Sequence, residues 1–220
     1  MTDATTDTLA LATALQIGDS QFPAGGFAFS WGLESLWREG RIDRGHMGAF
    51  LEAQLRGRWA SFDRAIVAAA HGADIAGWVV LDDEVEAMSW SARQRDGSSR
   101  AGQALLAAHA RLGTANAIAY RERQPLAHLP VAQGLVYAGV GLERAAAITV
   151  SGVNFLGSLA SAAVRLGIVG AISVQSDLAR LRPTLAALAT EEPPQQPTSF
   201  APAVDIAMCR HASAAALFSN

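Results

Sequence analysis

The sequence predicts an all-α fold, a single-domain helical bundle with a C-terminal docking tail. Three observations carry that reading. Apolar residues recur at helical spacing along most of the chain, as in Met47, Phe50, Leu51 and Leu55. The segments are bounded by helix caps and stops: Asp43 as an N-cap, Pro130 at a first helical position, Gly40 and Gly113 just past helix ends. The short β-branched runs Ile148-Thr149-Val150 and Ile172-Ser173-Val174 lie inside longer helical patterns, so they do not argue for strands.

Taken in order, Leu9–Ile17 reads as a short apolar helix, capped by Asp7 or Thr8. The chain then breaks at Pro23 and at the pair Gly25-Gly26, which permit a tight turn. Phe27, Phe29, Trp31, Leu33, Leu36 and Trp37 follow and bring large apolar side chains into a new helix. Further helices are expected over Arg44–Arg58 and Trp59–Ala70, and a segment opens at Asp74. Another helix has the acidic cluster Asp82-Asp83-Glu84 in its first turn, where the helix dipole favours anions. The next starts at Ser98 or Ser99 and ends at Gly113, and one runs from Pro130 to Gly141. Residues 1–190 form the domain, 191–204 a proline-rich linker and 205–220 a tail that can dock a partner.

Composition narrows the function. The 220 residues carry a net charge of −3, with half of them hydrophobic and 17% charged, an ordinary soluble profile. No basic run or aromatic–arginine stripe points to nucleic acid. The single cysteine, Cys209, excludes an intrachain disulfide framework and fits a reducing compartment. The polar, acidic N-terminus is not expected to be a signal peptide. The uncharged stretch Ala145–Val164 is long enough to span a bilayer, but its serines, threonine and asparagine favour a buried central helix.

Chemistry-bearing motifs are few. The Gly25-Gly26 loop is no phosphate cradle of the P-loop type, because the chain contains no lysine. Ala28-Phe29-Ser30-Trp31-Gly32 approximates a nucleophile elbow, so a serine hydrolase using Ser30 is one alternative; it lacks the preceding strands that an elbow needs. An integral-membrane helical protein is the other. No catalytic residue is assigned, and Ser30 is expected to hydrogen-bond locally. None of the five histidines forms an H-x-x-x-H pair, and Cys209 with His211 is the one close pair of soft ligands.

Several ordered motifs resemble the urease accessory protein UreF family. Phe22-Pro23-Ala24-Gly25-Gly26-Phe27 and Gly32-Leu33-Glu34 match its N-terminal signature, with Ala28 and Trp31 departing from it. Arg95, Arg100 and Gly102 fit a second motif. His128-Leu129-Pro130-Val131, Gly134 and Ser161-Ala162-Ala163-Val164-Arg165-Leu166 fit a third, with Ala171 in place of glutamine. Asp205, Arg210-His211 and Leu217-Phe218 echo the C-terminal pattern, one residue short. The resemblance implies a cytoplasmic, homodimeric, non-enzymatic maturation protein. It implies bridging of a UreD/UreH-type scaffold and a UreG-type GTPase, so that nickel enters apo-urease. No cofactor is then bound stably, and the complex handles the nickel. Glu34, Arg210, Leu217 and Phe218 become the partner-binding candidates, Pro23, Gly25 and Gly26 the structural turn, and Cys209 and His211 weak metal contacts.

Overall fold

The computed structural model describes residues 4–19, 21–23, 30–199 and 201–210. No strand occurs among them. The helices are α1 (Ala4–Gly18), α2 (Leu33–Arg38), α3 (Met47–Gln54), a π-helical segment (Leu55–Asp63), α4 (Arg64–Gly72), α5 (Ile75–Met88), α6 (Ala92–Arg111), α7 (Ala115–Arg121), α8 (Leu129–Gly139), α9 (Arg144–Arg165), α10 (Ala171–Thr190) and α11 (Pro202–Arg210). The all-α expectation holds.

At the centre, α4 and α8 pack most extensively, with α6 and α9 against them. Gly134 makes this possible. A Cβ there would come within 2.5 Å of the Val67 carbonyl oxygen and 2.9 Å of the His71 nitrogen. The two backbones touch, and only hydrogen fits between them. Two cores flank this contact. One holds Leu51, Leu55, Trp59, Leu159 and Leu166. The other holds Phe62, Ile66, Leu105, Tyr120 and Leu135.

α9 is the helix among the described residues that is long and apolar enough to cross a membrane, and more than half of its apolar window is buried inside the bundle. Its small residues serve that packing. A Cβ on Gly152 would sit 2.8 Å from the Trp59 ring. Arg165 is exposed at its C-terminal end, as the cost of burying a lone guanidinium requires.

Several boundaries differ from expectation. The helices read as Arg44–Arg58 and Trp59–Ala70 are one rod, because residues 55–63 widen into π turns and continue it. The wider turn brings residues five apart to one side. Arg58 thus grips Asp63 through both Nε (3.3 Å) and a terminal nitrogen (3.0 Å). The Asp82-Asp83-Glu84 cluster does not open a helix: α5 runs through it, and Asp82 is buried. Trp78, Asp82 and Val85 share a helical stripe, so Asp82 faces inward. α6 begins at Ala92, a turn and a half before Ser98. α7 and α10, the latter running through Pro183, are helices additional to those expected.

The segment 191–199 is extended, as its prolines require, but it is fastened to the rod. Thr198 donates its N–H to the Ser61 carbonyl at 3.0 Å, and Ser61 Oγ donates to the Thr198 carbonyl at 2.8 Å. The buried Arg64 guanidinium donates to the Leu188 and Glu191 carbonyls, satisfying the open end of α10.

Gly134→Ala should destabilise the protein by about 2–3 kcal/mol, since neither backbone can yield to the added methyl. Urea denaturation followed by circular dichroism measures this, with Gly157→Ala, which meets nothing within 4 Å, as control.

Candidate functional site

Of the candidate residues, Glu34 lies on α2 and Cys209 on α11, and these two helices pack against each other. Trp31 and Gly32 take successive left-handed conformations (φ 50° and 81°), which turn the chain into α2. Ser30 is completely buried; its carbonyl accepts the Leu33 N–H at 3.1 Å, and its Oγ lies 3.5 Å from the Glu34 nitrogen. These contacts are local, and no strand among the described residues supplies the elbow that a serine nucleophile needs.

Gly32 also carries the contact with the C-terminus. A Cβ there would lie 3.1 Å from Val204 Cγ1, 3.2 Å from Met208 Cγ and 3.2 Å from the Val204 oxygen. α11 is seated on α2 through this gap, burying Val204, Ala207 and Met208. The tail expected over 205–220 therefore begins as a helix docked on its own domain. The Asp205 carboxyl, raised by burial, is offset by the Ala201 backbone N–H and the Arg58 charge. Arg58 also reaches Ser199 and stacks its guanidinium 4.3 Å above the Phe62 ring.

Of the residues singled out in the sequence, Glu34 changes character most. It is not an exposed surface carboxylate but is wholly buried in the first turn of α2, with Arg38 2.8 Å away and partly exposed. Cys209 is an exposed thiol on α11. Among the described residues no three His, Cys, Asp or Glu side chains are grouped to hold a metal. Pro23 is exposed. Gly25, Gly26, His211, Leu217 and Phe218 lie outside the described residues, as does the Arg210 side chain.

A second buried constellation went unread. Asp82 accepts from the backbone nitrogens of Ala127 (2.5 Å) and His128 (2.7 Å) and from the Tyr120 hydroxyl (2.8 Å). Burial raises its pKa, and these three donors oppose the rise. Burial, with Asp82 beside it, keeps the Tyr120 phenol protonated. The carboxylate fixes a loop that enters α8 through a left-handed Ala127 (φ 58°). Gly102 admits that loop, since a Cβ there would overlap the Ala127 oxygen. His128 is fully buried and bonds Glu86 at 3.0 Å, and Glu86 pairs with Arg95 at 2.9 Å. Two motifs matched separately in the sequence, Arg95–Gly102 and His128–Val131, are thus one contact.

His109 joins α6 to the signature: its ring packs 5.1 Å from Phe22, and Nδ1 lies 3.1 Å from Thr114 Oγ1. Burial lowers its pKa to about 4.

Fold and site together define a helical packing protein in which α11 packs closely on α2. Comparisons with known proteins name its family. A sequence model of the UreF family matches residues 42–182. The urease accessory protein UreF of Trichodesmium erythraeum is 32% identical over 223 residues, covering 94% of this chain and 95% of its own. That of Paracoccus denitrificans is 33% identical over 196 residues, covering 86% of each chain. That of Methylobacterium sp. is 34% identical over 178 residues, covering 77% of this chain and 71% of its own. The chain belongs to the UreF family of urease accessory proteins.

Two outcomes are expected. Gly32→Ala combines an unfavourable left-handed conformation with a contact that Val204 and Met208 must relieve, a cost of about 2 kcal/mol. Amide hydrogen exchange should show selective loss of protection in Pro202–Arg210. In the second, His109 is neutral in the fold and protonates more readily unfolded. Its contribution is complete above the ordinary histidine pKa of 6.5 and is lost as pH falls towards about 4. Stability measured by urea titration should fall over that window, and less steeply in His109→Gln.

Proposed function

We propose that this protein bridges a UreD/UreH-type scaffold and a UreG-type GTPase, so that GTP hydrolysis on one partner is coupled to nickel insertion into apo-urease. Nickel is cargo of the assembly and the chain keeps no stable cofactor. Family membership supports the reading, and one structural observation carries it further: the N-terminal signature and the helix leading into the C-terminal tail share the α2–α11 corner. A partner that reads one end meets the other.

In this reading the protein is a cytoplasmic homodimer, and it acts by positioning, without catalysis. Arg210, Leu217 and Phe218 form the scaffold contact. Phe218 supplies the apolar anchor, worth roughly 1.5–3 kcal/mol, one to two decades of affinity. Glu34 acts on the GTPase side from within the corner, through the position it gives Arg38. Cys209 and His211 are at most a transient metal contact.

The test is co-purification of both partners with truncated chains. Removal of residues 211–220 leaves α11 on α2, so the protein should keep its helical signal and denaturation midpoint while losing scaffold capture. Truncation after Thr198 also strips α11 from Gly32, and should lower the midpoint as well. Glu34→Ala should retain the scaffold and weaken GTPase recruitment. Scaffold capture at full strength by the chain ending at Arg210 overturns the tail assignment.

A further inference from the structure

The nine residues Leu55–Asp63 run as a π-helix inside a rod that is α-helical on both sides. Such wide turns are rare and occur often at functional sites. At the end of the segment the Arg64 N–H bonds the Trp59 carbonyl, five residues back. The Ala60 carbonyl, which an α-helix would offer to that N–H, accepts from Arg64 Nε at 3.1 Å instead. The segment also lies between the two cores: Leu55 and Trp59 belong to one and Phe62 to the other.

One side chain holds this register. Arg58 donates to Asp63 from Nε and from a terminal nitrogen, with only 10% and 13% of the two side chains exposed. In an α-register residues five apart stand about 140° apart around the axis, so this pair would part. The Phe62 ring lies under the same guanidinium. Burial pushes the Asp63 carboxyl up, and the Arg58 charge opposes that rise.

The remaining partners of Arg58 come from the far end of the sequence. Its second terminal nitrogen donates to Ser199 Oγ, and Asp205 of α11 lies in the field of the same charge. Next to Ser199, Thr198 is bonded to Ser61. α11 itself packs chiefly on α2 and α6. The seated C-terminal helix therefore meets the π turns through Arg58 and through the short extended stretch beside it.

We propose that Leu55–Asp63 is a conformational relay: its π register is kept while α11 is seated and closes towards an α-helix when α11 leaves. With Ser199 and Asp205 withdrawn, water reaches Arg58 and weakens its hold on Asp63, because an exposed ion pair contributes little. Closing the wide turns rotates α3 against α4 and moves Trp59 and Phe62. Departure of the C-terminal helix is thus registered in both cores. The relay is a property of the chain alone, whichever partner engages its tail.

Hydrogen exchange of the full-length protein, read by mass spectrometry, tests this in both directions. Met208→Asp buries a charge under α11 and displaces it outright, where Gly32→Ala only weakens its seat. Exchange across Leu55–Asp63 should then quicken roughly fivefold or more, while Leu129–Gly139 stays protected. Ser199→Ala removes one bond to Arg58 and should have a smaller effect of the same kind. From the other side, Asp63→Asn keeps the shape but removes the charge that holds Arg58, and should quicken exchange in Pro202–Arg210. Simple loss of cover in Met208→Asp would loosen α2 and α6 and leave Leu55–Asp63 unchanged, and that result overturns the relay. Asp63→Asn with wild-type protection in Pro202–Arg210 overturns it too. Should Asp63→Asn loosen the whole chain, Met208→Asp, which leaves every residue of the rod in place, decides.

Discussion

The contact on which the rest of the structure depends is the backbone-to-backbone approach of α8 to α4 at Gly134. Helices joined through ordinary side chains keep their axes roughly 8–10 Å apart. Here the Val67 carbonyl and the His71 nitrogen lie where a Cβ on Gly134 would be. With the two rods locked this close, α6 and α9 have fixed walls to pack on. The same device recurs outward, with Gly102 admitting the Ala127 carbonyl and Gly152 admitting the Trp59 ring. Helical propensity alone favours alanine over glycine by about 1 kcal/mol. Glycine is retained where approach outweighs propensity.

Close approach forces a second requirement, that polar groups drawn into the interior find partners. Asp82 satisfies two backbone donors of a loop whose left-handed residue would otherwise expose them to apolar surroundings. Arg64 does the converse for the carbonyls closing α10. Both are ionisable residues at interior positions, each bonded to backbone at a helix terminus. Removing either leaves several groups unsatisfied at once, so their effects exceed that of one hydrogen bond.

The sequence made the helical class legible because periodicity is written in nearly every segment. It was less informative about joints. Two helices were expected on either side of Arg58, yet π turns carry the rod across, a solution that propensity does not encode. Asp82 was misplaced because three acidic residues in a row suit a helix start; its spacing from Trp78 and Val85 held the correct answer. Glu34, a candidate for partner contact from the resemblance, has a completely buried side chain. α2 packs on α9 and α11, both far along the sequence, and such tertiary contacts are not written in local pattern. The family resemblance pointed to motifs in that region without showing that α2 and α11 touch.

The joint between the chain ends also limits how a partner can engage them. Thr198 is fastened to Ser61 and α11 to Gly32, so the last described residue, Arg210, starts from a fixed place beside the signature. A floating tail on a flexible linker could find a partner in any direction. One that leaves from α11 starts beside α2. A partner that holds both ends therefore has to present both contacts on one face. On the proposed reading, a scaffold contact by the tail and a charged contact near Glu34 would be neighbouring parts of one assembly surface, joined through the packing of α11 on Gly32.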